Sequence, residues 1–145
     1  MVLKINETSL FNLCRNENEN LIKFFVEHEA DVNNVNSRGE TPLFLFYKRK
    51  NEHLFKYLIE HGAYVNKGSA DGNILLLDAC ENKNEKMIKY LVEYGADMNK
   101  ENKYGYILFF YTCMNCNENI INYLLEHSAN INKVKNNGET PLFYA

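Results

Sequence analysis

Apolar side chains recur along this chain at fixed places in a repeating frame. Leu21, Leu54, Met87 and Ile120 stand 33 residues apart, and Phe25, Leu58, Leu91 and Leu124 follow each of them by four. Within one frame Leu54, Phe55, Leu58 and Ile59 fall at the spacing that gathers on one face of a helix. Polar positions keep the same register: Asn18, Asn51, Asn84 and Asn117, then Glu19, Glu52, Glu85 and Glu118. Gly39, Gly72, Gly105 and Gly138 mark the frame again, and the same offset counted back from Gly39 lands on Asn6. The chain is a tandem array.

The second repeat shows what one frame builds. Thr41 is a good N-cap and Pro42 suits the first helical position, so a short helix is predicted from Pro42 to near Lys50, where Lys48-Arg49-Lys50 suits the negative helix end. Asn51 caps a second helix with Glu52 in its first turn, and Gly62 supplies the left-handed residue that ends it. Ala63-Tyr64-Val65-Asn66 then leads through a polar, hairpin-like connection to Gly72. Two short helices with one apolar face cannot offset the entropy of ordering their own residues, so the repeats must stack on one another.

The chain has 145 residues, 46% of them hydrophobic, which is enough for one domain with a core and argues against disorder. Sixteen basic against nineteen acidic residues leave a net charge of −3, so the footprint of a general nucleic-acid binder is missing. No apolar run is long enough for a membrane helix, and the first residues lack a signal-peptide pattern. The expectation is a soluble, non-exported protein, cytoplasmic or nuclear. Asn is abundant but dispersed, which excludes a prion-like tract.

With the 33-residue period, the motifs resemble those of the ankyrin-repeat family. Thr41-Pro42-Leu43-Phe44 and Thr140-Pro141-Leu142-Phe143-Tyr144-Ala145 match its first-helix opening with Phe in place of His, and Thr8-Ser9-Leu10-Phe11 is a near match. Leu91-Val92-Glu93-Tyr94-Gly95-Ala96-Asp97-Met98-Asn99 and Leu58 to Asn66 match its second-helix signature. The resemblance implies an all-α solenoid of helix-turn-helix repeats joined by hairpin-like loops. Its repeats would cover about 6–38, 39–71, 72–104 and 105–137, with a partial fifth at 138–145.

Several residues depart from the pattern. Ile74-Leu75 and Ile107-Leu108 stand where Thr-Pro is expected, which removes a capping hydroxyl worth about 1 kcal/mol and predicts two less rigid repeats. Glu29 and Ser128 replace the helix-ending Gly. The sequence stops within the first helix of the fifth repeat, so a longer array, or an end covered by a second copy, is expected.

Candidate chemistry is sparse. Cys113 and Cys116 have C-x-x-C spacing without a second pair, while Cys14, Cys80 and Cys113 share the slot that normally holds a small buried residue, so packing explains them better than metal. Cys80 and Cys113 should lie about 10 Å apart, beyond disulfide reach. His28, His61 and His127 share the last turn of their second helices, where they complement the helix end, and His53 reads as an ordinary surface residue. Neither a catalytic set nor a phosphate cradle is evident, so no enzymatic activity, metal or cofactor is expected.

The family resemblance implies a concave recognition face of hairpin tips and first-helix surfaces. Carried onto this chain, it takes Arg15 and Asn16, then Ser37, Arg38, Glu40, Lys48 and Arg49. It continues through Ala70, Asp71, Asn73, Glu81 and Asn82 to Lys103, Tyr104, Tyr106, Met114 and Asn115, and ends with Asn136, Asn137 and Glu139. Its early part is basic and its fourth repeat aromatic, a bipartite groove for a protein partner. The alternatives are an architectural segment that self-associates or spaces other domains, and a substrate hydroxylated at Asn33, Asn66, Asn99 or Asn132. Those four Asn are better explained by side-chain to backbone hydrogen bonds in their turns.

Overall fold

A computed structural model describes residues 8–16, 18–70, 72–127, 129–135 and 137–144. It divides into two compact units, Met1–Asp71 and Gly72–Ala145. Among the described residues it is helical, with no strand.

The first unit holds α1 (Thr8–Arg15), α2 (Glu19–Glu27), α3 (Pro42–Lys48) and α4 (Glu52–Glu60). Helix α1 packs on α2 and on α3, and α3 packs on α4. Leu10, Cys14, Ile22, Leu43, Phe44, Phe46, Leu54, Phe55 and Leu58 are buried in this unit, as the apolar register requires. Leu21 departs from that register and is 42% exposed.

The second unit holds α5 (Leu75–Glu81), α6 (Glu85–Glu93), α7 (Leu108–Met114) and α8 (Glu118–Glu126), followed by a 3-10 turn at Pro141–Tyr144. Helix α5 packs on α6 and α7, and α7 packs on α8 and on the 3-10 turn. The stacking expected of a solenoid is thus present inside each unit.

One Asn makes the corner between α3 and α4, between α5 and α6, and between α7 and α8. The Asn51 amide donates to the Phe46 carbonyl at 3.0 Å, closing α3, while its side-chain oxygen accepts from the Leu54 amide at 3.1 Å, opening α4. Asn84 and Asn117 repeat both bonds, to Ala79 and from Met87, and to Thr112 and from Ile120. The residue before each is left-handed, Lys50 at φ 58°, Lys83 at φ 54° and Cys116 at φ 50°. This is a Schellman closure whose outer residue doubles as the next N-cap.

Thr41 caps α3 through its hydroxyl, and Ile74 and Ile107 offer α5 and α7 no such bond, as the sequence predicts. Both isoleucines are buried, and that burial offsets the missing cap. Glu29 takes the left-handed position expected of a helix-ending Gly, at φ 66°. Ser128 lies outside the described residues, as does Asn6.

The connections at 36–40, 102–106 and 135–139 are hairpin turns. Asn36 and Glu40 are joined amide to carbonyl at 3.0 Å, Gly39 donates back to Asn36, and the Asn36 side-chain oxygen accepts from the amides of Arg38 and Glu40. Asn102 builds the same turn for Tyr104 and Tyr106. Gly39 is required twice, because its φ is positive and a Cβ there would stand 2.6 Å from the Ala70 amide nitrogen.

Candidate recognition surface

In the first unit the hairpin tip and the α1 face border a cleft of about 700 Å³. Phe11, Asn12 and Arg15 line it from α1, residues 34–38 and Glu40 from the hairpin, and Leu45 from α3. Arg15 and Arg38 are exposed at its edge. Glu40 is engaged mainly elsewhere: Lys48 donates to its carboxylate at 2.6 Å and Asn36 donates at 2.9 Å, while Arg38 acts on it only through its charge. The Lys48 bond, with Asn36 second, holds the Glu40 carboxyl below its ordinary value.

Arg49, expected on the recognition face, does structural work instead. Its guanidinium donates to the carbonyls of Cys14 and Arg15, at 3.3 and 2.8 Å, and so caps the end of the preceding first helix. Asn115 does the same in the second unit, donating to the Cys80 carbonyl at 3.1 Å.

The other predicted residues of the second unit fall into two groups. Lys103, Tyr104 and Met114 are exposed, with Tyr104 at 65%, and the Lys103 ammonium stands 5.1 Å from the Tyr104 ring. Asn73 and Glu81 are exposed too. Glu81, however, lies close to Tyr111, and burial together with that carboxylate pushes the Tyr111 hydroxyl up to about 12. Tyr106 departs from expectation: it is half-buried, with Lys135 at 3.9 Å over its ring and Phe110 edge-on at 5.6 Å. Lys135 also donates to the Tyr144 hydroxyl and the Glu139 carboxylate, which ties this aromatic to the 3-10 turn. Asp71 and Asn136 lie outside the described residues.

A family model of ankyrin repeats in three copies matches residues 10–102 and again 79–145. The chain belongs to the ankyrin-repeat family. Ankyrin repeats are generally protein–protein interaction modules. No curated protein matches the chain.

Polar positions outside the recognition face serve the ankyrin framework. Asn33 reaches beyond its own turn: its side chain accepts from the Tyr64 amide at 2.7 Å and donates to the Gly62 carbonyl at 3.0 Å, linking one repeat to the next. Asn99 likewise accepts from the Asn130 amide at 2.8 Å. The local turn is held by Asp31, Asp97 and Asn130, two residues earlier. Asn33 and Asn99 thus make the expected side-chain to backbone bonds, but to the following repeat rather than within their own turn.

His28, His61 and His127 each donate from Nδ1 to the carbonyl four residues back, at 2.7 to 2.8 Å, and stack on the aromatic ring there. They complete the ends of α2, α4 and α8. His53 does more than expected, pairing its Nδ1 with the Glu19 carboxylate at 3.0 Å. Cys14, Cys80 and Cys113 are buried and Cys116 is exposed. Burial pushes the Cys14 and Cys80 thiols up to about 12, which makes them packing groups rather than nucleophiles. Among the described residues no three His, Cys, Asp or Glu side chains converge as metal ligands, and no helix is long and apolar enough to cross a membrane.

Proposed function

We propose that this chain is a non-catalytic recognition module that binds a protein partner through its hairpin tips and first-helix surfaces. The observation that carries this reading is the exposure of Arg15 and Arg38 in the first unit, and of Lys103, Tyr104 and Met114 in the second, beside turns held by the Asn36 and Asn102 side chains. Rigid turns that present Arg, Tyr and Met lose little entropy on binding and offer the residue types enriched at protein interfaces. Arg49 and Asn115 leave the proposed set, because their side chains hold helix ends. Four cysteines without disulfides suit a reducing cytoplasmic or nuclear compartment.

Photo-crosslinking groups placed at Ser37 and at Tyr104, with Glu60 on α4 as control, test the reading in cells. A discrete protein trapped from Ser37 or Tyr104 but not from Glu60 supports it. Equal trapping from Glu60, or none from either tip, overturns it.

A second reading, self-association, is favoured by Leu142 and Phe143. They are 79% and 72% exposed, although the equivalent Leu43 and Phe44 are 0% and 1% exposed. Sedimentation of the wild type and of a Leu142→Ser/Phe143→Ser variant tests it, since a concentration-dependent dimer lost in the variant is required.

A further inference from the structure

We infer that the cleft of the first unit takes a short acidic peptide segment carrying an apolar side chain. The inference rests on the recognition reading and specifies its partner chemistry. Arg15 from α1 and Arg38 from the hairpin tip both border the cleft, and neither makes an ion pair at 4 Å or less among the described residues. Among the described residues the lining holds one carboxylate, Glu40, which Lys48 pairs at 2.6 Å and Asn36 occupies, and on which the Arg38 charge also acts. Its described residues thus set two guanidinium groups against a single carboxylate that Lys48 already pairs. A guanidinium fork matches a carboxylate in two parallel hydrogen bonds, so side chains of Asp or Glu are its natural complement.

The rest of the lining argues for a peptide over a nucleic acid. Phe11, Leu45 and the 41% exposed Val35 give the cleft an apolar portion that accepts an aliphatic side chain. Asn12 and Asn34 add amide groups that both donate and accept, which suits a peptide backbone. A phosphate backbone calls instead for a continuous row of cations, and the chain as a whole carries a net charge of −3.

The test uses the whole chain, labelled with 15N, and two short synthetic peptides: one alternates Leu with Glu, the other Leu with Lys. The Leu/Glu peptide is expected to move the amide resonances of residues 34–40 and of Asn12 and Arg15, and to bind more weakly as salt is added. Arg15→Glu with Arg38→Glu is expected to weaken it about tenfold or more, and Arg15→Lys with Arg38→Lys to weaken it less. The exposed positions leave the fold intact, which circular dichroism checks. The proposal is overturned if the Leu/Lys peptide binds equally well, if the shifts fall outside the cleft, or if a DNA duplex moves the same resonances more strongly. Crosslinking from Ser37 or Tyr104 that traps a protein while the Leu/Glu peptide fails removes this inference alone. Loss of that crosslinking removes the recognition reading itself.

Discussion

The guanidinium of Arg49 donates to the main-chain carbonyl of Arg15 across 34 positions of sequence, at 2.8 Å. A side chain that the family resemblance assigns to a binding face is thereby spent on the end of a neighbouring helix. Arg38, only eleven residues earlier, stays at the cleft edge. Residues that hold the fold and residues proposed to bind thus alternate along the same surface.

Replacing Arg49 separates these roles. Arg49→Ala is expected to cost about 1 to 2 kcal/mol, because the last carbonyls of α1 lose a charged donor. Arg38→Ala should stay within about 0.5 kcal/mol, as surface changes away from such bonds do. Urea denaturation of both variants checks the difference.

Restoring the family pattern at Ile107 is expected to fail as a stabilising change. Ile107→Thr supplies a capping hydroxyl worth about 1 kcal/mol, but it removes a fully buried aliphatic side chain whose loss outweighs that gain. Thr41→Val, which deletes an existing cap, should also destabilise by about 1 kcal/mol. Thermal unfolding of the two variants should therefore shift in the same downward direction.

Asn33→Ala should loosen the link between the first two repeats. It leaves the Tyr64 amide and the Gly62 carbonyl without their partner, at a cost of about 1 to 2 kcal/mol. Hydrogen exchange should quicken at the Tyr64 amide before it does so within α4. Asn33→Asp keeps the acceptor and is expected to recover protection at Tyr64.

Alkaline pH should unfold the protein. The Cys14 and Cys80 thiols rise from an ordinary 9.0 to about 12, so the folded state holds their protons more tightly than the unfolded chain. The stability they contribute is complete below about pH 9 and is lost as pH climbs toward 12. At neutral pH a thiol reagent should modify Cys116 rapidly and the buried cysteines only on unfolding.

What the sequence made legible was whatever a few neighbouring residues decide. Thr41 with Pro42, Asn51 with Glu52, and Gly62 set the ends of α3 and α4 by local chemistry, and all act as expected. The left-handed corners at Lys50, Lys83 and Cys116 were not legible, because no glycine marks them. Contacts between successive repeats were equally hidden. Nothing near Arg49 points to Arg15, and nothing near Asn33 points to Tyr64. Tyr106 looked free because Lys135, its cover, stands where Asn36, Ser69 and Asn102 occur in earlier frames. Comparing position 135 with those three would have flagged it.

The corner asparagines carry one last implication. Since Asn51 stops one helix with its amide and starts another with its side chain, a single inserted residue would split two jobs that now share an address. Length at that elbow is therefore locked, whereas Ser37 and Arg38 can be swapped for Lys103 and Tyr104 over the same backbone turn. Variety among the repeats of this chain enters through lettering at the fingertips, while the joints keep count.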